Sequence, residues 1–274
     1  APVQIAYIID HAEDDIILVH DDFLPLLEEI MPRVKRDVKL ILLSDNSSCD
    51  PKSSFDFLAT YHAMMARPVD HFEFPDFDER LRATTFYTTG TTGEPKAVAY
   101  SHRQLVLHTM GLLAGLGPIE TSNRLHTGDV YMPITPMFHV HAWGFPYAAT
   151  LLGLKQVYAG RYTPENLLRL IVEEGVSFSH CVPTILQMLL SASEEANTDL
   201  SKLKMLIGGS ALPHGLAEAA MARGINVYTG YGMSETCPVL TISALNSTDE
   251  SSIDPRLKTG NPIPMVDLMT VGQG

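Results

Sequence analysis

Cysteine is scarce, and the little there is lies scattered. Cys49, Cys181 and Cys237 are the three in 274 residues. They are too few and too far apart for a disulfide framework or a paired zinc site, so a reducing, cytoplasmic setting is expected. Basic charge is also short: 19 Lys and Arg against 32 Asp and Glu leave a formal net charge of −13. No stretch is basic enough to neutralise a phosphate backbone, which argues against a non-specific nucleic-acid binder and favours small molecules as partners. Long apolar runs are missing too. None reaches the ~20 residues that span a bilayer, and the start lacks a basic segment followed by a signal-type apolar stretch. A soluble protein without an integral membrane segment is expected. Repeats and low-complexity tracts are absent, and 45% hydrophobic with 19% charged residues is an ordinary globular balance. The length suits one large core or two modest ones.

What is present is an alternation. Ile5-Ala6-Tyr7-Ile8-Ile9 reads as a helix, Asp15–Val19 as a buried strand, Phe23–Ile30 as a helix and Val38–Leu43 as another buried strand. Strands are expected again at Asp129–Ile134, Lys155–Tyr158, Val176–Cys181, Met205–Ile207 and Asn226–Tyr228, separated by helices such as Pro164–Glu174 and Pro183–Leu190. Pro164 and Pro183 fall where the first helical turn tolerates proline. Short apolar strands spaced by single helices predict an α/β fold with parallel sheets covered on both faces, and ligands at the strand C-terminal ends. Asp45–Ser54 and Asn246–Pro255, rich in loop formers, read as surface connections. The chain opens at Ala1-Pro2-Val3 and closes at Val271-Gly272-Gln273-Gly274 just after a strand-like run, as expected of a piece of something longer.

Four stretches carry chemistry. Phe86-Tyr87-Thr88-Thr89-Gly90-Thr91-Thr92-Gly93-Glu94-Pro95-Lys96 is a strand running into hydroxyls and glycines and ending in a lysine. Glycines let backbone approach an anion, amides and hydroxyls donate to it, and lysine adds a compact positive charge. The segment suits a polyphosphate, although a mobile hairpin has similar composition. It is not the P-loop of common NTPases, because Pro95 precedes Lys96 and Ala97 follows it. In Thr229-Gly230-Tyr231-Gly232-Met233-Ser234-Glu235-Thr236, an aromatic between glycines can stack on a base, Ser234 can bond a phosphate oxygen, and Glu235 is a hard ligand for magnesium. Packing of Tyr231 in a tight turn is the alternative. Pro136-Met137-Phe138-His139-Val140-His141-Ala142-Trp143-Gly144 holds the sole tryptophan. His139 and His141 could face one side of a strand, but no third or fourth metal ligand accompanies them, so an apolar pocket wall with a polar histidine is the better reading. Leu206-Ile207-Gly208-Gly209-Ser210-Ala211-Leu212-Pro213 is a strand entering a Gly-Gly turn, either for a flat ring or for a tight β-to-α connection.

In this order, the four segments resemble the adenylate-forming superfamily of acyl-CoA synthetases, luciferases and peptide-synthetase adenylation domains. Within it the chain is most similar to medium- and long-chain fatty acyl-CoA synthetases, on Pro136–Trp143 leading into Pro146-Tyr147-Ala148-Ala149-Thr150 and on Lys258-Thr259-Gly260-Asn261-Pro262-Ile263-Pro264. The resemblance implies two similar helix-covered, mainly parallel α/β subdomains, 1–127 and 128–245, and the start of a β-rich one at 246–274. It implies that Thr88, Thr89, Gly90, Thr91, Thr92, Gly93 and Lys96 hold the ATP phosphates, with Thr88 also toward the metal. Gly209, Ser210 and Ala211 would line the adenine side, Tyr231 would stack on adenine, and Thr229, Gly230 and Gly232 would complete that wall. Ser234 and Glu235 would serve the α-phosphate and Mg2+, with Lys96 the third catalytic group. His139 would border the carboxylate and Trp143 gate the acyl tunnel.

The implied activity is ATP- and Mg2+-dependent formation of a fatty acyl-adenylate, followed by transfer to CoA. Two positions depart from the family, Ala97 for a glycine and Ser234 for a threonine, both small changes. A Tyr-Arg-Thr-Gly-Asp-type segment and a C-terminal domain with a catalytic lysine do not occur in these 274 residues, so the piece alone is not expected to be fully active. A homodimeric parent is a further expectation. Two alternatives stay open: a non-catalytic nucleotide-binding module, and adenylation without CoA transfer, against which the Trp143 segment leans.

Overall fold

The alternation of short apolar runs with helical periods becomes an α/β fold in a computed structural model, which describes residues 1–46, 54–69, 71–88, 93–243, 245 and 251–272. The chain divides into two compact units, 1–78 with 87–97, and 79–86 with 98–274.

In the first unit, helices α1 (Pro2–Ala12), α2 (Leu24–Ile30) and α3 (Tyr61–Met65) accompany strands β1 (Ile16–His20), β2 (Lys39–Leu43) and β3 (Phe57–Thr60). The strands form a parallel sheet in the order β1-β2-β3. Ala6, Ile9 and Ile30 pack together, and Val19, Leu27 and Leu40 form a second small cluster. β2 is buried at Leu40, Ile41 and Leu42, as its apolar run predicts. β1 differs: Ile16 and Leu18 are exposed while Val19 is buried. An edge strand covered on one face needs only alternate apolar residues inside. Strands β4 (Arg82–Thr88) and β5 (Lys96–Ser101) pair as a two-stranded sheet and contribute residues to both units.

The second unit is built on β6 (Val130–Pro133), β7 (Lys155–Gln156), β8 (Phe178–Cys181), β9 (Lys204–Ile207), β10 (Asn226–Gly232), β11 (Val239–Ile242) and β12 (Asn261–Pro262). They lie in the order β12-β11-β10-β9-β8-β6-β7, parallel from β10 to β7, with β11 and β12 antiparallel at one edge. Period-two alternation loads both faces. Met132, Cys181, Met205, Ile207 and Val227 meet helices α7 (Pro164–Glu174), α8 (Pro183–Glu195) and α9 (His214–Ala222). On the other face Tyr131, Phe178, Leu206 and Tyr228 meet α4 (His102–Leu116) and α6 (Phe145–Leu152). Thr163 accepts from the Asn166 amide to cap α7, with Pro164 in the first turn and Gly175 in the left-handed conformation at its end.

The compact units divide at 78, 86 and 97. Leu112 and Leu116 of α4 are buried in the second unit's core, so that helix belongs with the later strands. Of the expected connection Asn246–Pro255, residues 251–255 are described; they lead into α10 (Asp254–Leu257), whose Arg256 is buried. Most of the connection Asp45–Ser54 lies outside the described residues.

Candidate functional site

Within the second unit, a cleft of about 230 Å³ opens at the C-terminal ends of β9 and β10, where a parallel α/β sheet presents its ligand sites. Gly209, Gly230, Tyr231, Gly232, Ser234, His139 and Trp143 share this cleft, so three of the four chemistry-bearing stretches converge there.

Local geometry explains the residue types. The pairing of β10 with β11 shifts register between Tyr231 and Gly232, a bulge that re-aims the side chain. Tyr231 is left 43% exposed at the cleft. Only glycine fits next to it: a Cβ on Gly232 would stand 2.0 Å from the Pro238 carbonyl oxygen. Gly209 has φ of +78°, which glycine adopts without cost. Ser234, Glu235 and Thr236 form a 3-10 turn after β10, tied by the Met233 amide donating to Thr236 Oγ1 at 3.0 Å. Ser234 is half-buried at the cleft, and Glu235, next in the chain, is exposed and is not part of the lining.

The segment at 136–144 is not a strand. After His139 the chain makes a single left-handed turn, α5 (Val140–Trp143), with φ between 49° and 60° at all four residues, closed by Gly144 at 78°. Non-glycine residues rarely adopt this conformation, at roughly 1–2 kcal/mol each, and such strain persists only where the surroundings impose it. Here His141 Nε2 lies 2.9 Å from Thr84 Oγ1, and its ring stands edge-on to Phe86 at 4.5 Å. His139 is exposed and His141 is committed to Thr84, so the two do not present a metal site together. Burial holds His141 below its ordinary value. On the far side, Gly144 abuts His108, whose Nε2 accepts from the Val239 amide at 3.1 Å; burial lowers His108 to about 4.

Trp143 itself is 7% exposed and wedged. A Cβ on Gly208 would lie 3.0 Å from the indole, and the His180 ring stands 5.1 Å away on another side. Gly208, Leu206, Met233, Pro238 and Val239 also line the cleft, and sequence reasoning named none of them as site residues. Gly208 and Leu206 lie in the stretch that runs into the Gly-Gly turn and Met233 in the Tyr231 stretch, while no motif marks Pro238 or Val239.

Other expected residues stand apart from this lining. Ser210 and Ala211 are exposed in the β9–α9 connection. Thr229 is buried, and its hydroxyl proton is shared between the Arg256 carbonyl, at 2.9 Å, and the Lys258 carbonyl, tying α10 to β10. Thr88, ending β4, and Gly93 and Lys96, entering β5, belong to the first unit, with Lys96 exposed. Thr89, Gly90, Thr91 and Thr92 lie outside the described residues.

The cleft is thus glycine-walled, stands at the carboxyl ends of a parallel sheet, and has the exposed Tyr231 and the Ser234 turn in its lining. The chain matches the AMP-binding enzyme family over residues 1–274 and belongs to it. It is 38% identical over 275 residues to a long-chain-fatty-acid–CoA ligase of Thermus thermophilus, covering 98% of this chain and 48% of that protein. It is 35% identical over 284 residues to a medium-chain-fatty-acid–CoA ligase of Ectopseudomonas oleovorans, covering 98% and 50%. The chain thus spans about half the length of these curated relatives. Among solved structures, the luciferase-like enzyme of the mealworm Zophobas morio superposes with a TM-score of 0.78 at 22% identity, over 96% of this chain and 59% of that one. A long-chain-fatty-acid-CoA ligase from Archaeoglobus fulgidus gives 0.75 at 21%, over 96% and 50%. These establish the fold. No helix among the described residues is long and apolar enough to cross a membrane.

Proposed function

We propose that this chain carries the nucleotide- and acid-binding region of an ATP-dependent fatty acyl-CoA ligase, of the medium- or long-chain kind that its curated relatives represent. The supporting observation is the single cleft that joins an exposed tyrosine and the Ser234 turn to the buried wall of Trp143. Gly209, Gly230 and Gly232 bring bare backbone to the cleft wall, against which a flat base can lie, and Tyr231 offers it a ring face. Ser234 supplies a hydroxyl to the α-phosphate. The residue types of Thr88 to Lys96 assign that segment to the triphosphate. Glu235 gives one carboxylate next in the chain to Ser234, which fits Mg2+ because that ion is commonly held by one or two carboxylates together with substrate phosphates. Bound there, the ion would neutralise charge between carboxylate and phosphates.

The reaction needs little covalent help from the protein. A carboxylate oxygen attacks the α-phosphorus of ATP, pyrophosphate leaves, and an acyl-adenylate forms. The CoA thiol then attacks the acyl carbon and AMP departs. Both steps bring anions or developing charge together, so fixed donors such as Ser234 act by offsetting repulsion in the transition state. His139 borders the acid's carboxylate and Trp143 walls its acyl group.

Trp143, the sole tryptophan, reports on the site directly. Titration with magnesium-ATP, with fatty acids of increasing length and with a non-hydrolysable acyl-adenylate analogue should give a saturable emission change that is strongest for the analogue. A response to ATP and to no acyl ligand would overturn the ligase reading in favour of a nucleotide-binding module.

A further inference from the structure

Beneath the cleft lies a polar group that the proposed chemistry does not use. His180 is the third residue of the buried strand β8 and is itself fully buried, and both its ring nitrogens are engaged. Tyr131 Oη lies 2.7 Å from Nε2 and Thr135 Oγ1 lies 2.9 Å from Nδ1. The Thr135 hydroxyl also reaches the His180 carbonyl at 3.4 Å. One arrangement satisfies all of these: Tyr131 O–H donates to Nε2, Nδ1–H donates to Thr135, and Thr135 O–H donates to the His180 carbonyl. The opposite tautomer would leave the Tyr131 proton without an acceptor among the described residues. Burial lowers His180 to about 3, so the ring is neutral and the arrangement holds at any physiological pH.

A buried histidine in a strand is ordinarily a satisfied core residue. This one differs in what it touches. Its ring stacks on Phe145 at 4.9 Å and on Tyr131 at 5.7 Å, and meets the Trp143 indole at 5.1 Å. The indole cannot choose its place by backbone preference, because Trp143 sits in the strained left-handed turn. It cannot slide toward β9 either, because Gly208 already leaves it only the room of a hydrogen atom. Within the apolar cluster that surrounds the indole, the imidazole is the neighbour that two hydroxyls hold in one orientation.

We propose that His180 is a positioning residue for the acid end of the cleft: its two hydrogen bonds fix the imidazole plane, and the imidazole fixes the Trp143 indole that walls the acyl group. This rests on the ligase reading for what the wall contacts, though not for the packing itself. A leucine at 180 fills similar volume without orientation. A glutamine can accept from Tyr131 and donate to Thr135, and so restores the tether.

The test compares His180→Leu and His180→Gln, each read by Trp143 emission and anisotropy and by binding of magnesium-ATP and of the acyl-adenylate analogue. Expected for leucine is a shifted emission with lowered anisotropy, analogue affinity down by about tenfold or more, and ATP affinity changed by less than about twofold. Glutamine should recover most of the loss. Equal weakening of both ligands, or a leucine variant with wild-type emission and analogue binding, overturns the proposal. Should His180→Leu show no cooperative unfolding, Tyr131→Phe and Thr135→Val each remove one bond and leave the ring; smaller losses selective for the analogue are expected, and their absence is equally fatal. A wild-type chain that binds no analogue sinks the ligase reading instead, and the Trp143 emission of the variants then decides the positioning role alone.

Discussion

At Gly208 one hydrogen atom decides where an indole lies. A Cβ there would stand 3.0 Å from Trp143 Cη2 and 3.1 Å from Cζ3, and the indole has His180 behind it, so neither side can yield freely. Gly208→Ala should therefore destabilise by about 1–3 kcal/mol through overpacking and shift the emission of Trp143. Gly153→Ala is the control. Its φ of +67° imposes a backbone cost of roughly 1–2 kcal/mol, but nothing lies within 4 Å of the added methyl, so emission should not move. Urea unfolding with fluorescence detection measures both; an unchanged spectrum in Gly208→Ala would remove the wedge. Residues of this kind were half legible. Glycine and serine at 208 to 210 announce a tight approach, yet what approaches comes from a distant turn. The hydroxyl of Thr229 sits inside a legible nucleotide-type segment, but its partners are the carbonyls of Arg256 and Lys258, and no spacing rule connects them.

The element that organises the cleft is the left-handed turn Val140–Trp143, and it is the part least visible in sequence. Val, His, Ala and Trp have no preference for φ near 50°, so the turn exists because tertiary contacts outweigh local propensity. Two of its braces, His108 and His180, are held neutral by burial, at about 4 and about 3 against an ordinary 6.5. The unfolded chain then binds protons before the folded one does. Their contribution is complete above pH 6.5, declines as pH falls below it, and is gone once the folded values are passed. Stability should drop by about 1.4 kcal/mol per pH unit for each histidine in that window. Between pH 6.5 and 5 few carboxylates titrate, so denaturant unfolding there isolates the histidine term; because His141 is lowered as well, His180→Gln should flatten the slope by roughly a third to a half. A pH-independent midpoint across that window would contradict the burial of both rings. The regular elements, by contrast, follow from periodicity: Pro164–Glu174 is a helix to the residue, and β2, β8 and β9 fall on their apolar runs.

At the scale of the whole second unit, the sheet has two working ends. The cleft occupies the carboxyl ends of β9 and β10, and the amino ends are locked by a buried pair. Lys204 at the start of β9 reaches Asp129, just before β6, at 2.6 Å, and also donates to the Arg124 carbonyl at 2.7 Å. Ser177, before β8, and the His126 amide complete the carboxylate's partners. Burial pushes Asp129 up, but these bonds outweigh it and hold the acid below its ordinary value. For Lys204 the balance is reversed, with burial lowering the ammonium despite Asp129. The pair therefore adds little net stability, while either charge alone is costly. This link ties the start of β9 to the residues just before β6 and β8. Asp129→Ala should cost about 3–5 kcal/mol by stranding the lysine. Lys204→Met should cost less, because Asp129 keeps its bonds from Ser177 and His126. The double variant should fall short of the summed losses by about 0.5–3 kcal/mol, and all three should bind the acyl-adenylate analogue like wild type under conditions where they are folded. Strict additivity would show the charges to be independent, and weakened analogue binding in folded protein would show that the two ends of the sheet are coupled after all.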